Sequence, residues 1–165
     1  MSGDFDDLLA ANARYSESFG LSGFDGVAHA GIAMVTCMDS RIDPLGMLGL
    51  APGDAKILRN PGGRISEPVL TALVLSVHLL GVRRVLIVPH TRCAVASSSA
   101  AELRAAVSEA SGRDASRLDV PVVEDQERAL REDVARVRAH PLVTADVTVG
   151  GFLYDVDTGR ISQIV

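Results

Sequence analysis

The stretch RRVLIVP at 83–89 is apolar without alternation, and no other feature of the chain constrains its fold as tightly. A strand with one wet face alternates apolar and polar residues; a strand covered on both faces does not. AGIAMVT (30–36) is a second short apolar run with β-branched residues, and AKILRN (55–60) reads as another strand. Helical segments separate these runs. Strands alternating with helices imply a parallel sheet joined by right-handed crossovers. The expected class is α/β: a three-layer-like fold around a mostly parallel β-sheet, with an N-terminal helical arm and a C-terminal hairpin. The 165 residues suit one domain over 1–165, with 1–25 as the arm.

The strongest helix signal runs from Ser66 to Leu80, with Ser66 placed to cap it, Pro68 in its first turn and Gly81 at its end. Its apolar residues, from Val69 to Leu80, leave it apolar almost all round, which predicts burial in the fold or against a second subunit. Helix 124–139 differs. Leu130, Val134 and Val137 form one narrow stripe, and the pairs Glu127–Arg131 and Glu132–Arg136 line the rest. DPLGMLGL (43–50) reads as a short helix with Asp43 as its cap and Pro44 in its first turn. Residues 1–20 read as an exposed helix. DVTVGGFLYDV (146–156), the turn Asp157-Thr158-Gly159 and a last short strand make the hairpin.

Composition narrows the function. A net charge of −5 with no clustered basic residues argues against a nucleic-acid partner. No apolar run reaches the roughly 20 residues of a membrane span, and the acidic start MSGDFDDLLAANARYSESFG lacks a signal-peptide core. The expected location is the cytoplasm, where both cysteines stay reduced and metal binding or catalysis outranks a disulfide.

Ligands of open parallel sheets bind beyond the carboxyl ends of the strands. Cys37-Met38-Asp39-Ser40-Arg41 follows the strand 30–36, and His90-Thr91-Arg92-Cys93 follows the strand 83–89. Both cysteines of the chain therefore fall at equivalent strand ends, with His90 beside one. Cys37, His90 and Cys93 are the candidate metal ligands. Two thiolates and an imidazole suit tetrahedral zinc, and three protein ligands leave one position open, as catalytic sites do. Asp39 and Arg41 share the loop of Cys37. As a surface ion pair they would be worth little; beside a metal, Arg41 can orient Asp39 by bidentate contact. Asp39 is then available either as a fourth ligand in a closed state or as acceptor for a hydrogen bond from the water the metal holds. His29, His78 and His140 read as structural or solvated. Gly62-Gly63 is not a phosphate loop, since no lysine follows at the required spacing.

CMDSRIDP (37–44), GDAKILRNPGG (53–63), HTRC (90–93) and GFLYDVDTGRI (151–161) together resemble the β-carbonic anhydrases, most closely the compact bacterial and archaeal branch. The resemblance runs from Asn12-Ala13-Arg14-Tyr15 to the C-terminal hairpin. It implies Zn2+ as cofactor on Cys37, His90 and Cys93, and Asp39 with Arg41 as the catalytic dyad. It also implies hydration of carbon dioxide to bicarbonate, and a homodimer or tetramer with active sites near the subunit interface. This chain departs from the family's pattern at Pro61, Pro89, Arg92 and Ala94. Because two thiolates cancel the charge of zinc, activity is expected to rise toward alkaline pH, with Asp39 as the gate. Three other readings compete: a carbon disulfide or carbonyl sulfide hydrolase on the same scaffold, a non-catalytic zinc-binding oligomer, and a thiol redox protein. The last ranks lowest because no Cys-x-x-Cys motif is present.

Overall fold

A computed structural model describes residues 3–165. Five strands form one sheet in the order β2-β1-β3-β4-β5. They are β1 Ile32–Cys37, β2 Ala55–Asn60, β3 Arg84–Val88, β4 Thr148–Tyr154 and β5 Ile161–Gln163. The first four are parallel, and β5 returns antiparallel to β4 as the outer arm of the hairpin. All six residues of the interior strand β1 are buried, as the absence of alternation predicts.

The helices are α1 Asp6–Ser16, α2 Glu67–Leu79, α3 Ala94–Ser97, α4 Ala100–Ser111 and α5 Gln126–Arg138. Leu73 and Val77 of α2 join Leu130, Val134 and Val137 of α5 over Val35, Val85 and Ile87 of the sheet. The opposite face carries a second core of Met34, Ile42, Val88 and Tyr154, together with Cys37 and Cys93. The sheet is thus covered on both sides, and the two candidate cysteines belong to the second core.

Local chemistry explains most boundaries. Pro68 lies in the first turn of α2, and Gly81 takes φ +73° just past its end. A Cβ at Gly81 would come within 2.7 Å of Val27. Ser66 holds the N-cap position in extended conformation, but its side chain accepts no capping bond, contrary to expectation. Asp125 does cap α5, accepting from Arg128 N–H at 2.9 Å. The Glu127–Arg131 pair forms at 2.7 Å. The expected Glu132–Arg136 pair does not. Arg136 instead donates to the Ile65 carbonyl and the Glu67 carboxylate, joining α5 to the start of α2 at the surface.

The segment 43–50 tightens to a 3-10 turn, Gly46–Leu48, with Asp43 accepting from Gly46 N–H at 3.0 Å. Helix α4 had no counterpart in the sequence reading. Its signal was the pair Ser99 and Glu102, which form a reciprocal capping box. No residue of α1 is buried.

Candidate metal centre

Parallel pairing decides where the site can be. β1 and β3 are neighbours with Thr36 opposite Val88, so both chains leave the sheet at one edge. Cys37 ends β1, and His90 follows β3 by two residues. Cys93 then occupies the N-cap position of α3. The donor atoms of Cys37, His90 and Cys93 all lie within 4.8 Å of one another, and all three residues are buried. The two sulfurs are 3.9 Å apart, so the cysteines are free thiols.

The imidazole is the most informative member of the cluster. His90 Nδ1 contacts the Thr91 carbonyl at 2.8 Å. A carbonyl only accepts, so Nδ1 carries the proton and Nε2 presents its lone pair. Nε2 is buried without a hydrogen-bond partner among the described residues. Leaving such a group unpaired is costly. A cation between Nε2 and the sulfurs removes that cost. Burial also pushes the His90 pKa below its ordinary 6.5, which favours the neutral, ligating form. Burial first, and the neighbouring Cys37 after it, push the Cys93 thiol up. The donor set and its orphaned nitrogen fit a metal ion with soft and borderline preferences.

Asp39 and Arg41 lie at the edge of this cluster. Arg41 Nε and Nη2 donate to the two Asp39 oxygens at 2.9 and 2.7 Å, and Arg41 N–H adds a bond of 2.9 Å. The Arg41 guanidinium thereby holds the Asp39 carboxyl well below the usual carboxylate range. The loop is fixed from below by Arg59, which donates to the carbonyls of Cys37 at 2.9 Å and Asp39 at 2.5 Å. Gly62 N–H points at Cys37 Sγ from 3.3 Å. Gly63, at φ +66°, is packed so closely that a Cβ would meet the Thr36 carbonyl carbon at 3.0 Å. Gln126 Nε2 donates to the His90 carbonyl at 2.9 Å. Sequence reasoning singled out neither Arg59 nor Gln126. Arg59 could have been found as a cation next to the end of a strand whose neighbour carries Cys37; Gln126 had no signal.

A cavity of about 470 Å³ opens over the cluster, lined by its polar residues and by Pro61, Ala94 and Val95. The departures Pro61 and Ala94 therefore form part of its apolar wall. Pro89 accepts from Tyr154 N–H at 2.9 Å, and Arg92 lies between His90 and Cys93. His29, His78 and His140 do not line the cavity. His29 stacks on Phe24 with ring centres 4.5 Å apart, His78 meets the Leu142 carbonyl at 2.8 Å, and His140 accepts from Leu142 N–H.

Fold and site together define an α/β protein with a buried Cys-His-Cys cluster able to hold a metal at the carboxyl edge of a parallel sheet. The family model for carbonic anhydrase matches residues 32–161. β-Carbonic anhydrase 1 of Mycobacterium tuberculosis is 33% identical over 96% of this chain and 96% of its own. The crystal structure of carbonic anhydrase from Streptococcus mutans superposes with a TM-score of 0.87 at 36% identity, covering 100% of this chain and 99% of that one. A carbon disulfide hydrolase of Acidithiobacillus thiooxidans is 28% identical over 76% of this chain and 72% of its own. The chain belongs to the β-carbonic anhydrase family.

Proposed function

We propose that this protein catalyses the reversible hydration of carbon dioxide to bicarbonate and a proton, using Zn2+ held by Cys37, His90 and Cys93. The observation that carries the reading is the buried, unpartnered His90 Nε2 grouped with two buried thiols. Bound there, zinc lowers the pKa of coordinated water toward neutrality and so supplies a nucleophile. The protein's own groups do the rest. Asp39, kept ionised by Arg41, accepts a hydrogen bond and so orients the attacking oxygen. Pro61, Ala94 and Val95 give a small apolar substrate a dry wall to rest on. Among the described residues no histidine other than His90 lines the cavity, so in this reading the product proton leaves through water or buffer.

Stopped-flow hydration of carbon dioxide by zinc-loaded protein tests the reading, with carbon disulfide assayed beside it. Hydration abolished by zinc removal and restored by zinc supports it. Turnover of carbon disulfide alone favours the hydrolase reading, and zinc binding without either activity favours the non-catalytic one.

The working unit in this reading is a homodimer or a tetramer. Its support is apolar surface without cover: Leu75 and Leu79 of α2 are 49% and 67% exposed, and Phe5, Leu8 and Leu9 at the start of α1 exceed 60%. An obligate interface buries about 2,000 Å² or more. A stable active monomer in sedimentation at micromolar concentration would refute this. No described helix is long and apolar enough to cross a membrane. The two reduced thiols suit the cytoplasm, where the reading places the protein.

A further inference from the structure

Arg92 adopts φ +53°, the one non-glycine residue with positive φ among the described residues. Such backbone is unfavourable for a side-chain-bearing residue and persists only where its surroundings impose it. Here the surroundings are the C-terminal hairpin. Thr91 N–H donates to the Tyr154 carbonyl at 2.9 Å, and Val156 N–H donates to Thr91 Oγ1 at 3.2 Å. The Arg92 guanidinium then pairs with the carboxylate of Asp157, which lies 65 positions away in sequence. Asp157 is itself set in the turn by its N–H, which donates to Asp155 Oδ1 at 2.8 Å.

The result of this clamp lies on the other side of Arg92. Its carbonyl accepts from Arg41 Nη2 at 3.4 Å, and the same nitrogen donates to Asp39 Oδ2 at 2.7 Å. As a salt bridge the Arg92–Asp157 pair is half exposed and worth little. Its effect is directional. It fixes a strained peptide whose oxygen faces the guanidinium that holds Asp39.

We propose that Arg92 is a positioning residue for the Arg41–Asp39 pair: its left-handed backbone, clamped by Asp157, directs its carbonyl to Arg41 and so sets where Asp39 is held. The proposal rests on the hydration reading for its kinetic consequence, but not for its structural one. A glycine at 92 would take the same φ without strain yet could not be clamped, so Arg92→Gly separates the backbone from the tether.

The test uses zinc-loaded full-length protein with Asp157→Ala, Asp157→Asn and Arg92→Gly, each also in an Arg41→Ala background. The first readout is the Arg41 Nε–H resonance in 15N spectra, assigned by its absence in Arg41→Lys. All three variants should exchange this proton faster than wild type. The second readout is kcat against KM. kcat should fall about threefold to tenfold, the worth of one net hydrogen bond, with KM and zinc content unchanged. Asp157→Glu should restore both. In the Arg41→Ala background the same substitutions should have no further effect, because the group they position is gone. The proposal is overturned if the Arg41 resonance is unaffected by loss of Asp157, or if the kinetic loss has the same size without Arg41. A wild type without hydration activity would refute the proposed function, while the resonance would still decide the positioning.

Discussion

Asp39 Oδ2 stands 3.8 Å from His90 Nε2, while both Asp39 oxygens are gripped by Arg41. The carboxylate is thus within a short swing of the atom offered to the metal, and the neighbouring cation restrains it. The two roles foreseen for Asp39, fourth ligand and hydrogen-bond acceptor, differ by whether that grip holds.

Arg41→Ala should therefore impair the enzyme most near neutral pH. The substitution removes two charge-assisted bonds and leaves Asp39 with only the backbone N–H at position 41. Such bonds are worth roughly 1.5–3 kcal/mol, so a loss of about tenfold to a hundredfold in kcat is expected. Part of it should return above pH 8.5, where hydroxide competes better with a freed carboxylate. A stopped-flow pH profile of both proteins checks this; a uniform loss at all pH values would contradict it.

Cys93→Ser should lose zinc and stability together. A hydroxyl is a far poorer partner for zinc than a thiolate, and the remaining pair would hold the ion weakly. Metal analysis after dialysis should give well under one zinc per chain, with a lowered thermal midpoint. Full occupancy in this variant would remove Cys93 from the ligand set.

Acid should weaken the metal-free protein in a defined window. Burial holds the His90 pKa below 6.5, so the unfolded chain binds a proton there that the folded chain refuses. Where the unfolded state binds more protons, stability falls as pH falls. The contribution is complete above about pH 6.5 and is lost progressively below it. Asp39 acts in the same direction but only below its ordinary 3.8, since Arg41 depresses it. Urea midpoints of the zinc-free protein at pH 7.5 and 5.5 should differ, and His90→Gln should narrow the difference.

Asp133→Ala should destabilise without touching the metal. Arg64 follows the Pro61–Gly63 turn and donates to the Asp133 oxygens from Nε at 2.5 Å and Nη2 at 3.2 Å. Its Asp133 partner side chain is 5% exposed and its own 31%. Breaking a fully buried pair costs about 3–5 kcal/mol; the exposure of Arg64 reduces this to roughly 2–3 kcal/mol. Chemical denaturation measures the loss, and Asp133→Leu with Arg64→Met should recover much of it.

The parts legible in the sequence were those with short-range signatures. Unalternating apolar runs marked β1 and β3, Pro68 and Gly81 bracketed α2, and both cysteines fell at strand ends that parallel pairing brings together. What escaped depended on distant partners. Nothing local in Arg136 says that it will leave Glu132 for the Ile65 carbonyl, 71 positions away. Nothing in Gln126 announces the His90 carbonyl. Helix α4 is a different kind of miss, since Ser99 and Glu102 carried its start signal openly.

The spacing of the thiols has a consequence for the chain as a polymer. Cys37 and Cys93 are 56 positions apart, and an ion gripped by both acts as a reversible cross-link closing that loop. By the chain-entropy reasoning applied to disulfides, a loop of this length removes on the order of 4 kcal/mol of unfolded-state freedom. The loop starts from the last residue of β1 and holds β2, α2 and β3. A chelator would then do more than silence a reaction: it would untie the crossover that makes β1 and β3 neighbours.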